Sequence, residues 1–306
     1  MGTSGLVAPG PGGHYVMGAT NGLTSVGALD GPKRGTADGR TVERTAPAKL
    51  TVSLQVTGVR ADGYHLLESE MVTLDLADTL VIDPDGDSGL DVVPAWPGGT
   101  GGWRDLDMGP AGDNLVSRAL AAAGRTAHVR LVKRIPPGAG LGGGSADAAA
   151  VLRWAGCTDL GIATRIGADV PFCMGGGRAR VSGIGDEVVP LPFEARSYLL
   201  LLPPFGIDTA AVYQAWDRLL VAGRLSSRQA TSNGLEAAAV EVEPRLTGWK
   251  RALEEATGRP AHLAGSGSTW FVEGTAEQFG VELGAGLSLD GQHAPLVPTR
   301  TTPAVG

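Results

Sequence analysis

Ile135-Pro136-Pro137-Gly138-Ala139-Gly140-Leu141-Gly142-Gly143-Gly144-Ser145-Ala146-Asp147-Ala148-Ala149 is the stretch that decides how this chain is read. Five glycines in seven positions run straight into an alanine-rich segment, the pattern of a loop that becomes a helix. Glycine admits positive φ and lets backbone approach a ligand closely, because no Cβ stands in the way. Ser145 or Asp147 is placed to cap the helix, and Ala148, Val151, Leu152 and Ala155 give it one apolar face. The amides of its first turn and the positive end of its dipole favour an anion, above all phosphate. A glycine-rich surface loop before an ordinary core helix is the plainer alternative. The strand-like segment from Ala127 to Lys133 and the strong helix behind the loop favour phosphate binding. The loop is not a Walker A motif, since no Gly-Lys-Ser/Thr follows. Nor is it the dinucleotide fingerprint, because Pro136 and Pro137 separate the glycines from the strand and no ribose-binding acid is evident downstream.

Composition sets the outer limits. A chain of 306 residues fits one large domain or two of ordinary size. A hydrophobic share of 42% is enough for a core, while 48 glycines and 20 prolines point to many loops. A net charge of -7 argues against a general nucleic-acid surface, yet leaves room for a small anion held by local donors. Cys157 and Cys173 form neither a disulfide framework nor a zinc pattern, which fits a reducing cytoplasm. His14, His65, His128, His262 and His293 are too scattered for a metal site. The most apolar run, Tyr198 to Leu202, is too short to cross a membrane, and no basic-then-apolar leader opens the sequence. The reading is a cytoplasmic protein with no membrane or nucleic-acid partner, either monomer or homodimer.

Residues 1–44 show no periodicity and read as a disordered extension. Leu50, Val52, Leu54 and Val56 then alternate with Thr51, Ser53 and Gln55 in a half-buried strand, and Lys49 shares its polar face. A lone lysine there is more often solvated. The Arg60-Ala61-Asp62-Gly63 turn leads through Tyr64-His65 to a second strand carrying Val72, Leu74 and Leu76. Residues 83–110, with Trp96 and Trp103, read as one long loop. Asp113-Asn114 caps a helix that stops at Gly124. Asp169 sits between apolar residues just before Pro171, either as a cap or as a partly buried functional carboxylate. Arg178 to Ser182 and Leu199 to Leu202 read as strands. Helices follow through Val212–Leu220, after Ser232-Asn233, and through Leu246–Leu253. A second Gly/Ser loop, Gly265-Ser266-Gly267-Ser268, enters a strand, and residues 286–306 read as an irregular tail.

Six segments, in this order, resemble the GHMP small-molecule kinases, and within them the diphosphocytidyl-methylerythritol kinases of the non-mevalonate isoprenoid pathway. They are Ala-Pro-Ala-Lys at 46–49, Arg-Ala-Asp-Gly-Tyr-His at 60–65, Asp-Asn-Leu-Val at 113–116, the glycine loop, Gly-Ala-Asp-Val-Pro-Phe at 167–172 and Gly-Ser-Gly-Ser-Thr at 265–269. The resemblance implies an α+β fold of two domains with the active site in the cleft between them. A ribosomal-protein-S5-domain-2-like ATP-binding domain would span 45–180, and a ferredoxin-like domain 181–285.

It further implies transfer of the ATP γ-phosphoryl group to the 2-hydroxyl of a small molecule carrying a cytidine diphosphate group. Pro136, Pro137, Gly138, Ala139, Gly140, Leu141, Gly142, Gly143, Gly144, Ser145 and Ala146 would hold ATP, with Ser145 near Mg²⁺ and no side-chain metal cluster. Asp169 would act as general base and Lys49 would keep it ionised. Tyr64 and His65 would recognise cytosine, Arg180 would flank the base, and Thr51, Gly265, Ser266, Gly267 and Ser268 would line the substrate side. The chain departs from the family in having Thr51 in place of an asparagine, Gly234 in place of an aspartate, and a short segment before Asp169. A homoserine or mevalonate type of GHMP kinase, or an impaired nucleotide-binding homologue, is the alternative function.

Overall fold

A computed structural model describes residues 41–97, 114–225, 232–282 and 284–305. Two long antiparallel strands, β1 (Val42–Val59) and β2 (His65–Asp83), form its spine. The strand read at 50–56 extends well beyond those residues: Val42, Glu43 and Arg44, expected as part of the disordered extension, already pair with Ile82, Val81 and Leu80. The rest of that extension, 1–40, lies outside the described residues, as do Trp103 and Asp113.

The far edge of β2 is shared by two partners. Its Thr79–Asp83 end pairs with β4 (His128–Lys133) and its Leu67–Val72 end with β5 (Arg178–Gly183). Beyond β4 lies β3 (Gly89–Pro94), parallel to it, and beyond β5 lies β6 (Glu187–Leu191). The strand β3 corrects the long loop expected over 83–110. It is an edge strand with no fully buried residue, so it shows little apolar alternation. The first sheet also continues past residue 180, through β6.

Four helices accompany this sheet. Helix α1 (Leu115–Ala122) is capped by the Asn114 side chain, which accepts from the Val116 amide, and the chain leaves it through Gly124. Helix α2 (Gly143–Trp154) is buried along Ala146–Leu152, and α3 (Leu160–Ile166) and α4 (Val170–Gly175) follow. Alanines let α2 lie flat against β1, with little side chain to hold the backbones apart. Neither Ser145 nor Asp147 caps α2. Its N-cap is Gly142, in the left-handed region with no side-chain bond, and Asp147 is instead 2% exposed within the first sheet's core.

The second sheet, ordered β10-β11-β7-β9-β8, is antiparallel throughout. Its strands are β7 (Ser197–Leu201), β8 (His262–Leu263), β9 (Trp270–Glu273), β10 (Gly286–Leu289) and β11 (Gln292–Arg300). Helices α5 (Thr209–Val221), α6 (Glu236–Val242) and α7 (Arg245–Thr257) pack on it around Trp216, Trp249 and Trp270. The tail expected as irregular is therefore two strands. Pro295 and Pro298 hide them in the sequence, because proline cannot donate to a ladder. Pro295 offers its carbonyl to the Leu202 amide, and Pro298 lies beyond the stretch that pairs with β10.

A third apolar cluster joins the two sheets. Leu50 and Leu74 of the first sheet and Trp96 just past β3 meet Tyr198, Leu200 and Phe271 from the second, together with Ile135, Ala139 and Leu141 of the glycine loop. The loop thus lies on the seam between the sheets.

Candidate active site

The cleft above that seam has a volume of about 1410 Å³ and is lined from both sheets. Its floor is the glycine loop. The loop carbonyls are taken up by the framework: Gly138 O accepts from Ile207 N (3.0 Å), Ala139 O from Thr269 N (3.1 Å) and Leu141 O from Lys49 N (3.0 Å). The first amides of α2 have no intrahelical acceptor and face a helix N-terminus, where an anion is favoured. Close backbone approach explains the glycines. At Gly140, φ is +78° and an added Cβ would lie 2.2 Å from Ala264 O; at Gly142, φ is +65° and it would lie 2.7 Å from Lys49 Cγ.

Lys49 is 5% exposed, so it is not the solvated edge lysine that its type alone suggests. Its Nζ lies 3.1 Å from Thr51 Oγ1 and 3.2 Å from Asp169 Oδ2. Asp169 occupies the N-cap position of α4 but makes no capping bond, and its side chain keeps 29% exposure toward the cleft. The cap reading of this carboxylate therefore has no hydrogen bond behind it. The Thr51 hydroxyl accepts a hydrogen bond from the Lys49 ammonium and so orients the lysine. Asn233 is buried beneath the second Gly/Ser loop. Its Nδ2 donates to Leu263 O (2.9 Å) and Gly265 O (2.7 Å), which fixes Gly265 opposite Lys49.

At the other end of the cleft, His65 Nε2 lies 2.8 Å from Asp217 Oδ1. Its ring is tilted 33° on Tyr213 at 4.7 Å and meets the Trp216 edge at 5.6 Å. Tyr64 is 60% exposed at the rim. Burial, with the Asp169 charge nearby, pushes the Tyr213 hydroxyl up to about 12, so it remains a neutral donor throughout the physiological range.

Pro136 to Ser145, Lys49, Thr51, Tyr64, His65, Asp169, Gly265 and Ser266 all line this one cleft. Ala146 is buried behind the loop, and Ser268 is also buried, with its hydroxyl donating to Phe205 O. Neither these two nor Gly267 is on the lining. Arg180, expected beside the base, is exposed on β5 and lines no part of the cleft. Tyr213 and Asp217 are among the lining residues that the sequence did not single out. They are spaced one helical turn apart on α5, beside the apolar stripe of Val212, Ala215, Trp216 and Leu219. That spacing was the available signal.

Beneath the floor, Lys133 Nζ donates to Asp78 Oδ2 and, at 2.7 Å, to Asp147 Oδ2. Desolvation dominates at Asp147 and, with the Asp78 charge, pushes its carboxyl up to about 7 against the opposing pull of Lys133. At Lys133 desolvation pulls the other way, but the two carboxylates together raise it above its ordinary value. The sign follows from linkage. A folded value above the unfolded one means that Asp147 stabilises the fold fully below about 4, and that this contribution is lost as pH rises through about 7. Lys133 loses its contribution only in the alkaline range, above its unfolded value. Between pH 5 and 8 the melting temperature of Asp147→Asn, which mimics the neutral acid, should therefore gain on that of the unmodified protein. A constant difference across that range would contradict the assignment.

A glycine loop feeding a helix at the seam of two α+β halves, with a lysine–aspartate pair above it, defines a small-molecule kinase of the GHMP type. The model of the GHMP kinase N-terminal domain matches residues 114–177, which hold the loop and Asp169. The protein named 4-diphosphocytidyl-2-C-methyl-D-erythritol kinase from Paracoccus denitrificans (strain Pd 1222) is 38% identical over 248 residues, covering 74% of this chain and 84% of its own. The protein of the same name from Ruegeria pomeroyi (strain ATCC 700808 / DSM 15171 / DSS-3) is 35% identical over 254 residues, covering 75% and 88%. A crystal structure of 4-(cytidine 5'-diphospho)-2C-methyl-D-erythritol kinase superposes with a TM-score of 0.59 at 31% identity, over 85% of this chain and 100% of the other. The chain belongs to the 4-diphosphocytidyl-2-C-methyl-D-erythritol kinase family.

Proposed function

We propose that this protein transfers the γ-phosphoryl group of ATP to the 2-hydroxyl of 4-diphosphocytidyl-2-C-methyl-D-erythritol. The observation that carries the proposal is the Lys49–Asp169 pair at 3.2 Å, in one cleft with the glycine loop on one side and the His65–Asp217–Tyr213 wall on the other. Phosphoryl transfer asks for positioning and charge stabilisation rather than covalent help. Amides of residues 140–145 would hold the nucleotide phosphates. Asp169 would accept the proton of the attacking hydroxyl, within hydrogen-bond reach. Lys49 would offset negative charge on the phosphoryl oxygens. Its stem packs on Gly142 and its ammonium is bounded by Thr51 and Gly265, so it is fixed before any ligand arrives.

Among the described residues no group of three His, Cys, Asp or Glu could hold a metal ion. Mg²⁺ carried in on the nucleotide would need little from the protein, since the ion keeps several waters and takes few protein ligands beside substrate phosphates. Ser145, on the first turn of α2, would contact it, and the ion would supply charge neutralisation at the phosphates. At the far end, His65 offers a hydrogen-bonding ring edge held by Asp217, and Tyr64 and Tyr213 offer faces on which a flat base can stack. Among the described residues no helix is long and apolar enough to cross a membrane.

His65→Ala tests the division of the cleft. The KM for the cytidine substrate should rise by about tenfold or more, for a lost hydrogen bond and its stacking. The KM for ATP should stay within about twofold. Equal rises in both would remove cytosine recognition from His65.

A further inference from the structure

The loop that would hold the phosphates consists largely of glycine, which carries no side chain to fix a backbone shape. Its shape must come from its two ends and from what lies beneath. Both ends meet at one buried ammonium. Lys133, 3% exposed at the end of β4, is joined to Asp78 on β2, which is 0% exposed, and to Asp147 on α2, which is 2% exposed. The second oxygen of Asp78 accepts from Arg134 N at 2.5 Å and from Ile135 N at 2.8 Å, where the loop begins. Asp147 lies in the second turn of the helix into which the loop runs. Gly143, between them, is seated on the same group: an added Cβ would lie 3.0 Å from Lys133 Nζ and 2.9 Å from Ile135 Cγ2.

None of the three side chains lines the cleft. Taking such charges out of water costs several kcal/mol per ion, and apolar side chains of similar volume often serve stability as well or better. Asp147 Oδ1 is also buried, with no protein group donating to it. What the arrangement does achieve is a fixed span between the loop's first residues and its last. Lys133 reaches both carboxylates with β4, β2 and α2 in this register.

We propose that Asp78, Lys133 and Asp147 form a buried clasp that sets the separation of the two ends of the phosphate loop, acting as positioning residues for nucleotide binding without touching nucleotide or alcohol. The proposal rests on the reading of the loop as the nucleotide-phosphate site, but not on the identity of the alcohol.

The test is direct binding of Mg·ADP, by calorimetry, to the full chain and to Asp147→Asn, Asp147→Ser and Asp147→Ala. Binding of the cytidine substrate without nucleotide is measured alongside. Asn keeps an acceptor at the position of Oδ2, Ser falls short of Lys133, and Ala offers nothing. The Kd for ADP should stay within about threefold in Asn, rise about fivefold in Ser and about tenfold or more in Ala, while the Kd for the cytidine substrate is unchanged. If Ala does not fold, the Asn-to-Ser step carries the same comparison. A flat ADP Kd across the folded variants overturns the clasp, and so does equal weakening of both ligands, which a merely structural role would give. No ADP binding by the unmodified protein overturns the loop reading and the clasp with it. Normal ADP binding without turnover on any alcohol tells against the proposed reaction alone.

Discussion

Asp169→Asn is expected to lower kcat by about 10²- to 10⁴-fold, the range for removing a positioned general base. The carboxamide keeps the shape of the side chain but cannot take the hydroxyl proton. Asp169 makes no capping bond to α4, so the helix loses no hydrogen bond by the change. Lys49 retains the Thr51 hydroxyl at 3.1 Å. The variant should therefore fold, bind ADP with an affinity close to that of the unmodified protein, and turn over slowly. Steady-state rates combined with ADP titration check this. A kcat within a factor of ten of the original would remove Asp169 from the role of base. A loss of ADP binding equal to the loss of rate would make it a ligand of the nucleotide instead.

Gly140→Ala is expected to be the most damaging single methyl addition in the loop. Two costs combine at that position. An L-residue at φ of +78° costs about 1–2 kcal/mol. The added carbon would also lie 2.2 Å from Ala264 O and 2.7 Å from Gly267 O, both backbone atoms of the second Gly/Ser loop, and relieving such overlap typically costs about 1–3 kcal/mol. Together these suggest roughly 3 kcal/mol of destabilisation, with ADP binding weakened more than tenfold because the loop must leave the seam to make room. Gly124→Ala is the control. It too has positive φ, at +61°, but nothing lies within 4 Å, so only the conformational cost remains. Urea denaturation of the two variants separates the terms. Equal losses would show that the seam yields at Gly140.

Much of the site could be read from the chain because its parts are local. The glycine loop, the Lys49 strand, Tyr64-His65, Gly167 to Phe172 and Gly265-Ser266 are each continuous segments, and each contributes to one cleft. What escaped depends on partners distant in the sequence. Asp147 stands where a cap is plausible, and only the meeting of β2 and β4 shows that its carboxylate belongs to Lys133. Tyr213 and Asp217 belong to the cleft because α5 packs across from His65, a fact of tertiary arrangement that their spacing only hints at. Ala146, Gly267 and Ser268 are inside the motifs but behind the lining, since a motif also contains residues that only support the backbone. Arg180 falls on the exposed face of β5, where strand alternation sets it opposite the buried Ala179 and Val181.

The elements that escaped have a common cause. β3 is an edge strand with polar and glycine residues around it, and β11 carries two prolines. Hydrophobic period is weak in both, and pairing with a neighbour makes them strands. The tail that hid β11 reaches across to the first sheet and its helices: Thr302 N donates to Thr73 O on β2 and Val305 N to Gly175 O at the end of α4.

ATP consumption, measured side by side with diphosphocytidyl methylerythritol, homoserine and mevalonate as acceptors, tests the central claim most directly. Asp169→Asn and Lys49→Ala serve as controls. Turnover is expected with the cytidine-bearing alcohol alone, lost in both variants. Turnover with homoserine or mevalonate, or turnover that survives Asp169→Asn, would contradict it.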